Sequence, residues 1–366
     1  MIKILFTAGG SGGHIYPIIA TVRELKKIAN EQNIKVKLYF MGKTSFGKED
    51  FKAEEVKSIP VLGGKLTRYF SIKSPFELFK FLFDLIESFI ALWFIMPDVI
   101  LSKGGPGSLS VGLVGRLYGA RLIIHDSDSI PGLTNRILGK FANFVTVSFP
   151  EAGTYFNKNK VSVIGNPIRL SLLNGNKEDK KEKVIFFKGG SQGAEALNKV
   201  VIESLRDMLK KYIVYHSVGE NNYQKLVKDL KDLYNIDVSK EKNYKARSFF
   251  NEKEVTYIYA QSDLIVARAG AGIFEIAANG LPSILIPLPE SASDHQRKNA
   301  FYYARSKACT VIEQENLKPS ILLDQINNIF DNKELYREMS EAAKAFAKPE
   351  AAYNLAKILL DLNNYG

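Results

Sequence analysis

Cysteine is almost absent from the sequence, because Cys309 is the only one among 366 residues. A single cysteine excludes a disulfide framework and a metal site built from cysteines, and it is typical of a reducing compartment. The sequence also lacks an uncharged apolar run long enough to span a membrane. The opening MIKILFTAGG is too short in apolar residues for a signal peptide, so it predicts a first β-strand.

Acidic residues are outnumbered, which leaves a net charge of +11 and a pI of about 9.3. A basic chain favours an anionic partner, such as nucleic acid, a phosphate-bearing substrate or an anionic lipid. The sequence shows neither zinc-finger spacing nor an aromatic RNA-binding signature. We therefore expect no nucleic acid partner.

Short β-rich runs alternate with helical segments along the whole chain. IKILFTA, VKLYF and DVIL begin one series, and a second series begins near residue 184 with KVIFF. This alternation predicts parallel strands with crossover helices, and hence two doubly wound Rossmann-like α/β domains facing a cleft. The polar stretch after VIGNPIRL separates residues 1–165 from residues 166–366. The last helix can pack on either domain.

Two glycine-rich loops each follow a predicted strand and open a helix. The first loop, GGSGGH, contains Ser11, Gly12 and Gly13 and ends in His14. The second, KGGSQGA, contains Ser191. Glycines let the backbone approach a ligand, and a helix N-terminus favours an anion. Neither loop has the spacing of a dinucleotide-binding or Walker A motif, and His14 can act as a general base near neutral pH.

A third small-residue loop and a polar cluster lie in the second half. Gly270, Ala271 and Gly272 follow the strand LIVA, and Glu275 lies one turn into the next helix. There Glu275 can accept the two hydroxyls of a ribose, or it can simply favour the helix dipole. The cluster DHQRKN, which includes Gln296, follows another strand, where open α/β sheets bind ligands.

Residues 74–96 form the most apolar segment of the chain. Asp84 and Glu87 recur with other charges at helical spacing, so the segment predicts an amphipathic helix rather than a transmembrane span. Its wide aromatic arc allows two interpretations. The helix is either buried in the core, or partly exposed to an anionic membrane surface with Lys65, Arg68 and Lys73 nearby.

Taken in order, these motifs resemble the MurG family of glycosyltransferases. The likeness runs from residue 4 to about 345 and is carried by GGSGGHIYP, GGPGSLSVGLVGRLYG, PGLTN, VIGNPIR, GGSQGAEALN, FEIAANGLPSILIPLP and DHQRKNA. The resemblance implies the two-domain GT-B architecture and inverting transfer of N-acetylglucosamine from UDP-GlcNAc to lipid I. The product would be lipid II for peptidoglycan. It also implies no metal or other cofactor and a peripheral position on the cytoplasmic face of the plasma membrane.

The resemblance also implies roles for individual residues. His14 matches a catalytic candidate, and Ser11, Gly12 and Gly13 match positions near a diphosphate. The implied donor-binding positions are Arg169, Ser191, Phe250, Gly270, Ala271, Gly272, Glu275 and Gln296.

Two departures from the family pattern stand out. The family reads His-Glu-Gln-Asn where this chain has His125 to Asp128, so Asp128 replaces an asparagine that touches the donor sugar. An ionised acid accepts hydrogen bonds but cannot donate them, and Asp128 can share the base role with His14. Asp126 and Asp128 also form a D-x-D pair, a pattern that elsewhere holds a metal-bound diphosphate. The second departure is the segment from Arg268 to Glu275, which is one residue shorter than usual.

Two alternative functions remain open from the sequence. One is another GT-B glycosyltransferase that acts on a diacylglycerol-type lipid. The other is a nucleotide-sugar-binding protein without transferase activity, which the shortened loop and Asp128 would favour. A Rossmann oxidoreductase is disfavoured, because neither glycine loop has the dinucleotide spacing.

Overall fold

The chain forms two compact units in a computed structural model that describes residues 1–42, 47–59, 75–105, 107–190 and 194–361, with only the backbone of 75–78. The first unit comprises Met1–Arg169 together with Lys348–Gly366, and the second comprises Leu170–Ala347. Both are doubly wound parallel α/β domains, which confirms the fold class expected from the alternating pattern.

The first unit is a seven-stranded sheet with helices on both faces. Its strands are β1 (Ile2–Thr7), β2 (Val36–Met41), β3 (Lys57–Ile59), β4 (Val99–Ser102), β5 (Arg121–Asp126), β6 (Phe144–Val147) and β7 (Val161–Val163). Its helices before the domain boundary are α1 (Gly12–Glu31), α2 (Lys48–Ala53), α3 (Pro75–Ile95), α4 (Ser108–Leu117), α5 (Leu133–Leu138) and α6 (Pro150–Gly153). Every strand pair is parallel, in the order β3-β2-β1-β4-β5-β6-β7.

The second unit repeats this arrangement with six parallel strands. They are β8 (Lys183–Lys188), β9 (Tyr212–Ser217), β10 (Tyr244–Arg247), β11 (Leu264–Ala267), β12 (Ser283–Leu285) and β13 (Cys309–Val311). Its helices are α7 (Glu195–Met208), α8 (Tyr223–Tyr234), α9 (Glu252–Gln261), α10 (Gly272–Ala278), α11 (His295–Ala304), α12 (Pro319–Asp331) and α13 (Lys333–Phe346). The strand order is β10-β9-β8-β11-β12-β13.

Apolar residues on both faces of the strands explain why the sheets are central. In β1, β4 and β5 nearly every residue is buried, as expected where helices cover both sides of a parallel sheet. One core of the first unit packs Ile4 and Phe6 against α1, and the other packs Leu5 and Ile100 against α3 and α4. The second unit also has a core on each face of its sheet.

The strand order creates one switch point in each unit. Chain connections leave in opposite directions from β1 and β4 in the first unit and from β8 and β11 in the second. The loops that follow such a pair open a crevice at the carboxyl edge of the sheet, where doubly wound domains bind ligands. The loops after β1 and β11 are two of the loops singled out from the sequence.

The last helix, α14 (Ala351–Asp361), belongs to the first unit. The sequence assigned residues 166–366 to the second domain and left the packing of this helix open. Leu355 and Leu359 pack into the core formed by α1 and β1. Burial of this apolar face therefore returns the end of the chain to the first unit. The return passes Gly165, where a Cβ would lie 2.4 Å from the Cβ of Lys348. The division between the units falls after Arg169 rather than after residue 165.

Helix α3 buries polar side chains on one side and exposes apolar side chains on the other. Its sheet-facing side buries Asp84, Ser88 and Leu92, while its outer side exposes Phe79, Phe83, Ile86, Ile90, Trp93 and Phe94. Of the two interpretations drawn from the sequence, burial in the core therefore holds for only one side. Within the described ranges, no helix is both long and apolar enough to cross a membrane.

Candidate functional site

The first-unit site is built on two glycine loops that touch each other. The N–H of Gly9, after β1, donates to the carbonyl of Gly104, after β4, at 2.8 Å. Gly105 has φ +91°, and a Cβ there would lie 2.7 Å from the backbone of Gly9. Only glycine fits this close approach without strain. The two loops therefore form one continuous surface at the switch point.

His14 lies on this surface in the first turn of α1. Ser11 caps the helix in an extended conformation, and Gly12 and Gly13 are its first two residues. Ser11 Oγ lies 3.2 Å from His14 Nδ1, and His14 Cε1 is 3.8 Å from the position of a Cβ on Gly105. When Nδ1–H donates to Ser11, Nε2 carries the lone pair that a general base requires. The structure thus brings together Ser11, Gly12, Gly13 and His14.

The loop after β5 is organised by Asp126. Its carboxylate accepts hydrogen bonds from Asn135 Nδ2 at 2.8 Å and from the N–H groups of Asp128 and Gly132. Burial and the charge of Asp128 together raise the pKa of Asp126 to about 6, against the opposing hydrogen bond from Asn135. Asp126 therefore anchors the segment that leads to α5 and presents Asp128.

The structure shows how the first acid of the D-x-D pair is used. The described residues contain no group of three or more histidine, cysteine, aspartate or glutamate side chains placed to share a metal ion. The carboxylate of Asp126 is directed to Asn135 and to backbone donors of its own loop. Through these bonds Asp126 organises the start of the next helix, α5.

Lys103 was missed by the reasoning from the sequence. It directly follows β4, is 2% exposed, and its Nζ donates to Ser127 Oγ at 2.5 Å and to Asn166 Oδ1 at 3.3 Å. Burial lowers its pKa to about 7, against the opposing charges of Asp126 and Asp128. A buried lysine, which keeps its proton only up to a pH of about 7, therefore lies under the loops that carry Gly104 and Asp128.

His125 is a buried structural residue rather than a second base. Its Nδ1 lies 2.9 Å from Thr146 Oγ1, and its Nε2 lies 3.3 Å from Ser148 Oγ and 3.4 Å from Asn166 Oδ1. Burial and the charge of Lys103 move its pKa well below the usual value. The ring is therefore neutral at physiological pH and joins β5 to β6 and to the segment after β7.

Arg169 lies in the first unit, not in the domain to which the sequence assigned it. It is buried, and its guanidinium carbon lies 4.0 Å from the centre of the Tyr16 ring. A planar guanidinium stacks well on an aromatic face and keeps its charge when buried. The structure thus places the guanidinium of Arg169 against α1. Its contact residue, Tyr16, lies two positions after His14 in the chain.

The second-unit site is centred on Glu275, which forms a partly buried ion pair with Lys188. Its Oε2 accepts a hydrogen bond from Lys188 Nζ at 2.5 Å and another from the Tyr259 hydroxyl at 3.1 Å. Burial alone would lower the pKa of Lys188, but the charge of Glu275 outweighs it and the pKa is raised. Glu275 is therefore positioned by β8 and α9, an arrangement that its sequence motif did not reveal.

Gly270, Ala271 and Gly272 form the bend between β11 and α10. Asn299 Nδ2 donates to the carbonyl of Ala269 at 3.0 Å and fixes the start of the bend. A Cβ on Gly272 would lie 3.6 Å from Lys188 Nζ, so the bend and the ion pair are neighbours.

Arg268, which precedes this bend, has a structural role. It donates to the carbonyl of Ile286 at 3.0 Å and to Gln314 Oε1 at 2.6 Å. Burial lowers the pKa of this guanidinium to about 10. Arg268 thus ties β11 to the segments after β12 and β13.

Two further residues predicted from the sequence, Phe250 and Gln296, lie in the second unit. Phe250 is buried, with its ring 6.0 Å from Phe186, which is itself 5.9 Å from Tyr259. This places Phe250 in the same packed group as Glu275. Gln296 accepts a hydrogen bond from the N–H of Leu288 at 3.1 Å and thereby shapes the loop after β12. Ser191 lies outside the described residues.

A simple signal could have identified the two missed lysines. Lys103 directly follows the buried strand β4 and Lys188 is the last residue of β8, and each precedes two glycines, in the sequences LSKGG and FFKGG. Lysine at the end of a buried strand is costly unless an anion or a polar partner receives it. Both lysines have such partners in the structure.

Comparison with known proteins assigns the class. Residues 4–147 match the glycosyltransferase family 28 N-terminal domain, and residues 184–355 match the glycosyltransferase family 28 C-terminal domain. Two parallel α/β domains with these matches define a GT-B glycosyltransferase of family 28.

Individual relatives narrow the assignment. A Borrelia hermsii protein named UDP-N-acetylglucosamine--N-acetylmuramyl-(pentapeptide) pyrophosphoryl-undecaprenol N-acetylglucosamine transferase is 32% identical, over 98% of this chain and 96% of its own length. A Thermoanaerobacter protein (strain X514) of the same name is 35% identical, over 98% of this chain and 99% of its own. The chain belongs to this family of transferases, and the resemblance drawn from its motifs is confirmed.

A solved structure supports the fold. The crystal structure of Acinetobacter baumannii MurG superposes with a TM-score of 0.71 at 24% sequence identity. The match covers 99% of this chain and 100% of that chain. At this identity the likeness establishes the fold alone.

Proposed function

We propose that the chain transfers N-acetylglucosamine from UDP-GlcNAc to the 4-hydroxyl of the muramyl sugar of lipid I, with inversion, to give lipid II for peptidoglycan. Family membership supports the reaction class, and the names of the relatives supply the donor and the acceptor. The observation that carries the chemistry is the Ser11–His14 contact beside the joined glycine loops.

In the proposed reaction, His14 acts as the general base. Its Nε2 takes the proton of the acceptor 4-hydroxyl as that oxygen attacks the anomeric carbon of the donor sugar. The bond from this carbon to the diphosphate breaks at the same time, and UDP leaves with the bonding electron pair. Attack from the face opposite UDP converts the α-linked donor into a β-linked product. Asp128 shares the polar surface that receives the reacting groups.

The charges on the leaving diphosphate require stabilisation, which we assign to protein groups rather than to a metal. Arg169 keeps its charge when buried, and the backbone of Gly12 and Gly13 begins a long helix whose N-terminus favours anions. In the second unit, the bend at Gly270–Gly272 next to Lys188 is the corresponding position for donor phosphates. We assign the ribose hydroxyls to the carboxylate of Glu275, which pairs with Lys188 beside this bend.

The lipid acceptor requires contact with a membrane, and we propose that the outer side of α3 supplies it on the cytoplasmic face. Phe79, Trp93 and Phe94 are 72%, 62% and 80% exposed, which is costly for a surface that faces only water. Aromatic side chains of a helix lying flat on a bilayer enter the boundary between head groups and acyl chains. The net charge of +11 favours anionic lipids.

The transfer is tested with labelled UDP-GlcNAc and a lipid I analogue in the presence of a chelator. We expect a new disaccharide lipid in the wild type and a loss of kcat of about 10²- to 10⁴-fold in His14→Gln, the range for removal of a general base. Product only after addition of a divalent metal would contradict the metal-independent mechanism. Transfer to diacylglycerol but not to lipid I would support the rival lipid acceptor, and donor binding without any transfer would support a non-catalytic protein.

Membrane association is tested by flotation with vesicles of phosphatidylcholine alone or with added phosphatidylglycerol. We expect binding that increases with the anionic lipid and decreases with salt, because surface electrostatics are screened. Equal binding to both vesicles would exclude the electrostatic contribution. No binding to either would exclude the role of α3.

A further inference from the structure

Lys103 and the loop Asp126–Asp128 form a buried charged group at the carboxyl edge of the first sheet. Lys103 directly follows β4, Asp126 ends the neighbouring strand β5, and both are buried. The backbone N–H of Lys103 donates to the carbonyl of Thr7 at 2.9 Å, which continues the ladder between β4 and β1. Lys103 therefore lies between the loop that carries His14 and the loop that carries Asp128.

The ammonium group of Lys103 is fixed by two neutral partners. Its Nζ donates to Ser127 Oγ, and Ser127 Oγ in turn donates to Asn166 Oδ1 at 2.7 Å. A second contact from Nζ to Asn166 Oδ1 closes a triangle of polar atoms. This geometry holds the middle residue of the loop, Ser127, directly against the cation.

Two negative groups act on the single positive charge of Lys103. The carboxylates of Asp126 and Asp128 both act on it, whereas the neighbouring His125 is neutral. The two carboxylates also act on each other, since Asp128 is the second cause of the raised pKa of Asp126. Two carboxylates stand in a three-residue loop, and Asp126 is buried, so this segment requires a compensating positive charge, and Lys103 is the cation that acts on both.

We propose that Lys103 is a positioning residue for the transfer reaction, whose buried ammonium compensates Asp128 and holds the loop Asp126–Asp128 in its working conformation. The proposal rests on the proposed function and deepens it. Lys103 does not touch the reacting atoms; it acts through Ser127 and through the charge of Asp128. Removal of the cation forces one of the two carboxylates to take up a proton or to move away.

The test is a double-mutant cycle on kcat with Lys103→Met, Asp128→Asn and the combined variant. Because a hydrogen-bonded charge is lost, we expect Lys103→Met to lower kcat by about 10- to 100-fold. Neutralising Asp128 as well removes the unpaired charge, so we expect the combined variant to regain about tenfold relative to Lys103→Met. Lys27→Met, which removes an exposed lysine of α1, is the matched control and should leave kcat unchanged.

Purely additive losses in the cycle would overturn the proposal, since a residue that merely fills space has no reason to couple to Asp128. A kcat of Lys103→Met equal to that of the wild type would overturn it as well. An inactive wild type would instead refute the proposed function. The two failures are therefore distinguishable.

A second measurement does not depend on the folding of Lys103→Met. In protein with ¹³C-labelled lysine, we expect one Cε resonance to titrate near pH 7 in the wild type, as burial of Lys103 requires. In Asp128→Asn the same resonance should titrate at a lower pH, because the carboxylate that favours the ammonium form is gone. A titration that is unchanged by Asp128→Asn would overturn the coupling.

Discussion

Asp84 offers the sharpest test of how α3 is held in place. Its side chain is 0% exposed, and neither carboxylate oxygen has a hydrogen-bond partner among the described residues. A buried ionised carboxylate without donors destabilises a fold unless it binds a proton. Asp84→Asn keeps the shape of the side chain and removes the charge.

The magnitude follows from the pKa of Asp84, which burial raises from 3.8 to about 6, with a further contribution from Glu87. At Asp84 the folded protein then binds a proton more tightly than the unfolded chain, so the contribution of this group to stability is greatest below pH 4 and is lost as the pH rises to 6. The full difference corresponds to about 3 kcal/mol at neutral pH. The amide of asparagine has its own cost of burial, so we expect a net gain of about 1–2 kcal/mol for Asp84→Asn at pH 7.5.

The assay is unfolding by urea at pH 4.5 and pH 7.5 for the wild type and Asp84→Asn. Comparing the two proteins at each pH cancels the titration of all other groups. The variant should be more stable at pH 7.5 and nearly equal to the wild type at pH 4.5. Glu31→Gln removes an exposed acid from the same unit and is expected to change neither value.

A difference between the wild type and Asp84→Asn that is the same at both pH values would refute the reasoning, because it would show that Asp84 has an ordinary pKa in the folded protein. The expected result has a functional meaning. A helix that hides a carboxylate and exposes aromatic side chains gives up stability in solution, and membrane docking of its outer side provides a reason for this arrangement.

Three further predictions follow from individual contacts. Phe94→Ser removes a side chain that is 80% exposed and should weaken vesicle binding by about 8- to 60-fold, from a loss of about 1.2–2.4 kcal/mol, whereas Leu233→Ser in the second unit should not. Lys188→Met leaves Glu275 buried without its cation; urea unfolding should show a loss of about 3 kcal/mol, largely recovered when Glu275→Gln is added. Gly105→Ala places a Cβ against Gly9 and should lower the thermal unfolding temperature more than Gly119→Ala, whose φ is also positive but whose surroundings are open. In each comparison, equal effects of the two variants would contradict the contact on which that prediction depends.

The two-domain architecture was accessible from the sequence because it is encoded locally. Buried strands contain continuous apolar runs such as ILF in β1 and VIFF in β8, and their alternation with helical periods leaves few alternatives to a parallel sheet. The glycine loop that ends in His14 was predicted for the same reason, since loop and helix are consecutive in the chain. The family was recognised because several such local motifs occur in a fixed order.

The partners of charged side chains were not accessible in this way. Lys103 meets Ser127 and Asn166 across 24 and 63 residues of chain, and Lys188 meets Glu275 across 87. Such contacts depend on strand order, which brings β4 beside β5 and β8 beside β11. The return of α14 to the first unit and the outward direction of the aromatic face of α3 were likewise decided by packing. The sequence by itself determined the strands, the loops and the family, whereas tertiary structure decided which charges are paired, because pairing depends on distances between segments that are remote along the chain.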